Sequence, residues 1–162
     1  MTGHHAGLKL LDDALMDQLR DQARASPRRR AVHRFHEHEE PVQRMLNALE
    51  PDSYVRPHKH EDPDKFEAFV VLRGRAAVVL FDPDGKVAAT VVIAARGTTR
   101  GVEIPPRAFH CLVAVEAGTV LFELSQGPYD GATHKRWAPW APEEGTPEGA
   151  AYLADLRVKL GL

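Results

Sequence analysis

Between residues 42 and 125 the chain is cut into seven short runs, each apolar or alternating, with turn-forming residues between them. The runs are VQRMLNAL (42–49), SYVRPHKH (53–60), FEAFVVL (66–72), AAVVLF (76–81), VAATVVIAA (87–95), CLVAV (111–115) and TVLFELS (119–125). They are separated by Pro51-Asp52, Asp62-Pro63-Asp64, Arg73-Gly74, Asp82 to Gly85, Gly97 to Pro106 and Glu116 to Gly118. Runs of this length and spacing, with no helical period between them, predict an antiparallel sandwich or barrel. Asp84-Gly85 sits between two of them and is a hairpin signal, because glycine supplies the positive φ that a tight turn needs.

The flanks read differently. Residues 8–24 place Leu8, Leu11, Leu15 and Leu19 at spacings of three and four, the stripe of a short amphipathic helix. Ser26-Pro27 ends it, and Arg28-Arg29-Arg30 follows, either a solvated connector or an anion-binding or oligomer contact. Residues 126–147 are rich in Pro, Gly and aromatic side chains and read as an ordered loop wrapping the barrel. Leu153, Leu156 and Leu160 predict a short C-terminal helix over 148–161. The expected organisation is an N-terminal helix and connector (1–40), a barrel (41–126), and a wrapping loop with a C-terminal helix (127–162). A chain of 162 residues supports one folded domain built from all three.

Composition narrows the chemistry. Lys and Arg total 21 and Asp and Glu 23, a net charge of −2 that makes no global case for nucleic acid or an anionic membrane. No stretch approaches the ~20 apolar residues of a membrane span. The first residues lack the charged and apolar regions of a signal peptide, so a cytoplasmic protein is expected. Cys111 is the single cysteine, which excludes an intrachain disulfide and any multi-cysteine zinc module. Nine histidines stand against it, so a metal held by this chain is held by imidazole and carboxylate.

His58 and His60 are alternate residues of one run, so on a strand they share a face about 6.6 Å apart and can converge on one ion. Tyr54 and Arg56 fall on the same face of that predicted strand. Glu67 opens the next run after the Asp62-Pro63-Asp64 turn and can return to the same space. A carboxylate leading an apolar strand is costly to bury unless it is paired or metal-bound. His110 stands at the entrance of CLVAV, as a ligand or as a hydrogen-bonded structural histidine.

This pattern resembles the two motifs of the cupin superfamily, G-x5-H-x-H-x(3,4)-E-x6-G and G-x5-P-x-G-x2-H-x3-N. His58 and His60 match the H-x-H, Glu67 the glutamate, Gly74 the closing glycine, and Pro105 and His110 the second frame. Asp52, Arg107 and Ala114 stand where the motifs have glycine, glycine and asparagine. The gap between His60 and Glu67 is six residues rather than three or four, which keeps Asp62 and Asp64 open as substitutes for Glu67. Over about 26–144, with GPYD (127–130) and WAPWAPEE (137–144), the chain is similar to the WbuC-type cupin fold metalloproteins. The resemblance implies a cupin (double-stranded β-helix, jelly-roll) barrel and one divalent transition metal, Fe, Mn, Ni, Co or Zn, on His58, His60, Glu67 and His110. It also implies a setting among surface-polysaccharide (O-antigen) genes and pairing as a homodimer.

Four protein ligands on an octahedral ion leave two positions for a bidentate oxygen ligand or dioxygen. Arg56 could then bind a substrate carboxylate or phosphate, or could serve as a structural ion pair. Tyr54 could donate to substrate or fill the barrel mouth, while Gln43 and Asn47 share a strand face and could offer amides. Tyr129, Asp130, Lys135 and Trp137 could wall the site, although loop packing is the plainer role for Trp137 and Trp140. His36, in the polar stretch RFHEHEEP with His38, could stand behind the ligands. Cys111 alternates away from His110 and reads as a small buried hydrophobe. His4, His5, His33 and His134 carry no reading beyond solvent or loop. Two functions fit. One is a metalloenzyme acting on a sugar- or polyol-derived small molecule by isomerisation, epimerisation or oxidation. The other is a non-catalytic, metal-dependent small-molecule binding or sensor module.

Overall fold

A computed structural model describes residues 7–162, so His4 and His5 lie outside the described residues. In chain order the elements are α1 (Asp13–Ala25), β1 (Arg30–Arg34), β2 (Val42–Leu49), β3 (His58–Lys59), β4 (Glu67–Arg73) and β5 (Arg75–Phe81). They continue with β6 (Val87–Ala94), β7 (Gly101–Ile104), β8 (Phe109–Ala114), β9 (Thr119–Gln126), β10 (Arg136–Trp137) and α2 (Pro147–Leu160). Two five-stranded antiparallel sheets result, in the orders β1-β2-β9-β4-β7 and β10-β3-β8-β5-β6.

Strand alternation builds four layers from these strands. Phe69 and Val71 of β4, Val78 of β5, Leu112 of β8 and Leu121 of β9 point between the sheets and form the central core. The residues between them point outward. Leu46 and Ala48 of β2 and Val120 of β9 meet Met16, Leu19 and Ala23 of α1. Ala77, Val79, Cys111 and Val113 meet Leu153 and Leu156 of α2. Cys111 is thus a buried hydrophobe under α2, where burial pushes its thiol well up.

The hairpin expected at Asp84-Gly85 joins β5 to β6, with Gly85 at φ 87°. Between β4 and β5, Gly74 turns the chain at φ 73°, and a Cβ there would lie 2.6 Å from Thr119 Oγ1. Both helices are capped as their sequences dictate. Asp12 accepts the Leu15 amide, Thr146 accepts the Gly149 amide, and Gly161 closes α2 in the left-handed conformation.

Two expectations are corrected. The α1 stripe is Met16, Leu19 and Ala23 rather than one running from Leu8, because Asp12 caps the helix and leaves Leu8 and Leu11 exposed before it. The run 53–60 is a strand only at 58–59, since Pro57 has no amide to give a ladder.

Candidate metal centre

The site sits where the two sheets meet at one end of the barrel. His58 lies on β3 directly across from His110 on β8, and Glu67 is the first residue of β4 in the opposite sheet. His60 follows β3 by one residue. All four side chains are 3% exposed or less, and one potential ligand atom from each lies within 4.8 Å of the others.

The hydrogen bonds decide which ring nitrogens face the centre. Nδ1 of His58 donates to the Arg56 carbonyl (2.9 Å), that of His60 to the His134 carbonyl (2.5 Å), and that of His110 to the Ala108 carbonyl (2.9 Å). A carbonyl has no proton to give, so each Nδ1 carries one and each Nε2 of a neutral ring presents a lone pair. Nε2 of His58 and of His60 are buried without a hydrogen-bond partner. Glu67 Oε1 lies 2.9 Å from His60 Nε2, and Oε2 lies 3.0 Å from His110 Nε2. Lone pair then faces lone pair across both contacts, and only a positive charge between them satisfies the arrangement. That charge is either a second ring proton or a metal ion.

The electrostatics agree with the geometry. Burial, followed by the nearby Lys135 charge, holds His58 well below the ordinary histidine range, so its ring stays neutral. Burial acts to raise the Glu67 carboxyl, but its contacts with His110 and His60 outweigh burial and keep it ionised. The group could therefore bind a metal ion through three imidazoles and a carboxylate, a borderline N/O donor set suited to a first-row divalent ion.

Arg107 explains the lengthened loop before Glu67. It stands where the motif has glycine and keeps the left-handed backbone, at φ 67°. Its guanidinium reaches Asp64 (2.9 Å), Asp62 (3.3 Å) and Glu61 (3.5 Å). Asp62 and Asp64 are thereby committed to Arg107 outside the cluster, and Glu67 is the carboxylate that joins the histidines.

A cavity of about 240 Å³ opens beside His58, Glu67 and His110. Gln43, Asn47, His36, Tyr129 and Lys135 line it. Gln43 uses its amide to hold the Glu40 carbonyl (2.8 Å), and Tyr129 stacks between His38 and His134. His36 is buried, and its Nδ1 lies 2.8 Å from the Arg44 amide nitrogen, which pins the ring at the cavity's edge.

Two residues expected at the pocket are elsewhere. Tyr54 packs under α2 and donates to the Pro142 carbonyl (3.1 Å), and Arg56 lies over the Trp137 ring, 5.6 Å from its centroid. The broken strand before His58 removes the alternation that had aligned them with it. Of the two tryptophans, Trp140 packs on Phe81, whereas Trp137 is half-exposed with its ring 5.6 Å from that of His58.

Glu123 and His134 complete the surroundings without having been expected there. Glu123 points inward from β9 and accepts from Asn47 Nδ2 (2.6 Å). Burial, and then the Glu67 charge, push its carboxyl up to about 8. Its signal was present, a lone carboxylate in TVLFELS at the parity of inward-facing Leu121. His134 supplies its carbonyl to His60, and burial pushes its own ring down to about 4.

Two antiparallel sheets closed face to face over a buried three-histidine, one-glutamate group define a protein of the cupin fold. Residues 11–93 match the family described as a domain of unknown function, DUF6016, and the chain belongs to that family. No curated protein matches the chain by sequence.

Among solved structures it is similar to CapF bound to the inhibitor 3-isopropenyl-tropolone (15% identity, TM-score 0.56) over 66% of this chain and 31% of that one. It is similar also to the capsular polysaccharide assembling protein CapF of Staphylococcus aureus, at 14% identity and TM-score 0.55, over 66% of this chain and 29% of that one. A conserved protein of unknown function from Streptococcus pyogenes matches at 16% identity and TM-score 0.51, over 80% of this chain and 95% of that one. The chain spans about a third of the length of the CapF structures it matches. At these identities the likeness is one of fold.

Proposed function

We propose that this chain is a metal-dependent cupin of the WbuC type, which holds one divalent first-row ion on His58, His60, Glu67 and His110 and acts on a sugar- or polyol-derived small molecule. The observation that carries the reading is the set of three Nε2 lone pairs and a carboxylate turned on one point, with every Nδ1 proton already committed to a carbonyl. Such tautomer control is what orients imidazoles for a metal and costs affinity when lost. When bound, the ion would supply Lewis acidity and open positions for substrate oxygens.

The chain's own residues do the rest. Asn47 holds Glu123 beside the centre, where its carboxyl can give a proton to, or take one from, a bound ligand. Tyr129 and Lys135 line the cavity beside it. A role near surface-polysaccharide assembly is supported by the resemblance to WbuC-type proteins and, loosely, by the CapF fold likeness.

The test is elemental analysis of protein purified without chelator or affinity tag, beside a His58→Ala, His60→Ala double variant of native circular dichroism. About one metal per chain in the parent and none in the variant is expected. Equal content in both overturns the reading.

A further inference from the structure

Along β1, alternate residues share a face. Arg30, Val32 and Arg34 fall on one face of β1, and with Arg28, His36 and His38 from its flanks they line the cavity beside the histidine cluster. The result is a wall of cationic and titratable side chains along one side of a small space.

Not all of these charges are available. Arg28 and Arg30 both donate to Glu144 Oε2, at 2.9 and 2.6 Å, and Arg30 also holds the Tyr54 carbonyl (2.7 Å). One carboxylate is shared between two guanidiniums, so the trio keeps one net positive charge, but both side chains are held in structural bonds. Arg34 is different: among the described residues no carboxylate lies within ion-pair distance of it, and its guanidinium makes no hydrogen bond. Lys135 lines the same cavity from the wrapping loop and is likewise without a carboxylate partner among the described residues. Its ammonium lies 5.6 Å from the Trp137 centroid and near enough to His58 and Glu123 to lower the proton affinity of both.

The cavity's own carboxylates do not offset these two charges. Glu67 is engaged by His60 and His110 and Glu123 by Asn47, and neither forms an ion pair with Arg34 or Lys135. Two unpaired cations, exposed Arg34 and half-buried Lys135, lining one partly apolar cleft favour anions there. The volume, about 240 Å³, sits below that of drug-sized sites and fits a compact ligand.

We infer that the ligand of this pocket is a small anion, and that Arg34 and Lys135 together bind its carboxylate or phosphate group. The inference deepens the proposed function by naming the substrate class, and it rests on that reading only for the ligand's oxygen-bearing end. A guanidinium fork and an ammonium are the ordinary pair for such an oxyanion.

Calorimetric titration of the full-length, metal-loaded protein with glycerate, glycerol phosphate and glycerol tests it. These probes share a backbone and differ in anionic group. At least one anion is expected to bind tenfold or more tightly than glycerol, and which one does so separates a carboxylate ligand from a phosphate ligand. Arg34→Gln and Lys135→Gln should each weaken that anion at least fivefold, with glycerol affinity and metal content unchanged. Equal affinity for the three probes, or an anion affinity that neither variant moves, overturns the inference. If the parent protein carries no metal, the metal reading fails by elemental analysis. The same titrations on metal-free protein then decide the anion site: a preference lost in both variants upholds it, and no preference refutes it.

Discussion

Replacing Glu123 with glutamine should stabilise the metal-free protein at neutral pH, with a gain that grows as pH rises. In the folded chain this carboxyl is pushed from 4.5 up to about 8, first by burial and then by the Glu67 charge. In the unfolded chain it ionises near 4.5. Between those values the folded state holds a proton that the unfolded state releases, so wild-type stability falls as pH rises through that window. At about 1.4 kcal/mol per pH unit, the cost at pH 7 is about 3 kcal/mol. Glutamine keeps an oxygen to accept from Asn47 and gains an N–H to donate to Glu67, so it preserves the contacts while removing the titration. The assay is urea denaturation of wild type and Glu123→Gln in chelator, at pH 5 and pH 7.5. The histidines titrate alike in both proteins and cancel in the difference. The variant's advantage should widen by about 3 kcal/mol between the two pH values. A difference that stays flat would show that Glu123 ionises freely beside Glu67, and the account of its burial would be wrong.

Two further outcomes follow from the same geometry. In the Glu123→Gln background without metal, His58 and His134 should each subtract from stability as pH falls below ~6.5, because the unfolded chain then protonates two rings that the folded chain keeps neutral. His58 is held well below its ordinary value and His134 at about 4, so the loss should continue toward pH 4 at up to about 1.4 kcal/mol per unit for each group. Ring-proton NMR in which either residue titrates at about 6.5 in the folded chain would contradict its assignment. Separately, Gly74→Ala should cost about 2 kcal/mol or more in thermal or chemical denaturation, since it combines a left-handed φ of 73° with a Cβ 2.6 Å from buried Thr119. A neutral result would mean that β4 and β5 can be rejoined without that turn.

The central strands were legible because each is a hydrophobic run bounded by turn residues. The run 42–49 coincides with β2, and 76–81 and 119–125 fall within one residue of β5 and β9. What escaped were strands whose reason for being strands lies elsewhere in the molecule. In RAVHR (30–34) only Ala31 and Val32 are aliphatic, yet α1 covers one side of this strand and the cavity takes the other. The two-residue β10 exists only as a partner for β3.

The candidate site divides in the same way. H-x-H spacing and a leading glutamate identified His58, His60 and Glu67, and the second motif frame identified His110. Tyr54 and Arg56 were misplaced because alternation was carried across Pro57. His134 contributes a backbone carbonyl, which no side-chain pattern can announce.

The strand order has a consequence for assembly. β2 and β4 both precede residue 75, but neither bonds the other; each pairs with β9, at 119–126. During synthesis the first sheet therefore has no centre until almost three quarters of the chain has emerged. His60 waits longer, because its orienting carbonyl belongs to residue 134. A chain that has not reached residue 134 thus presents His58 and His60 without the framework that turns them inward.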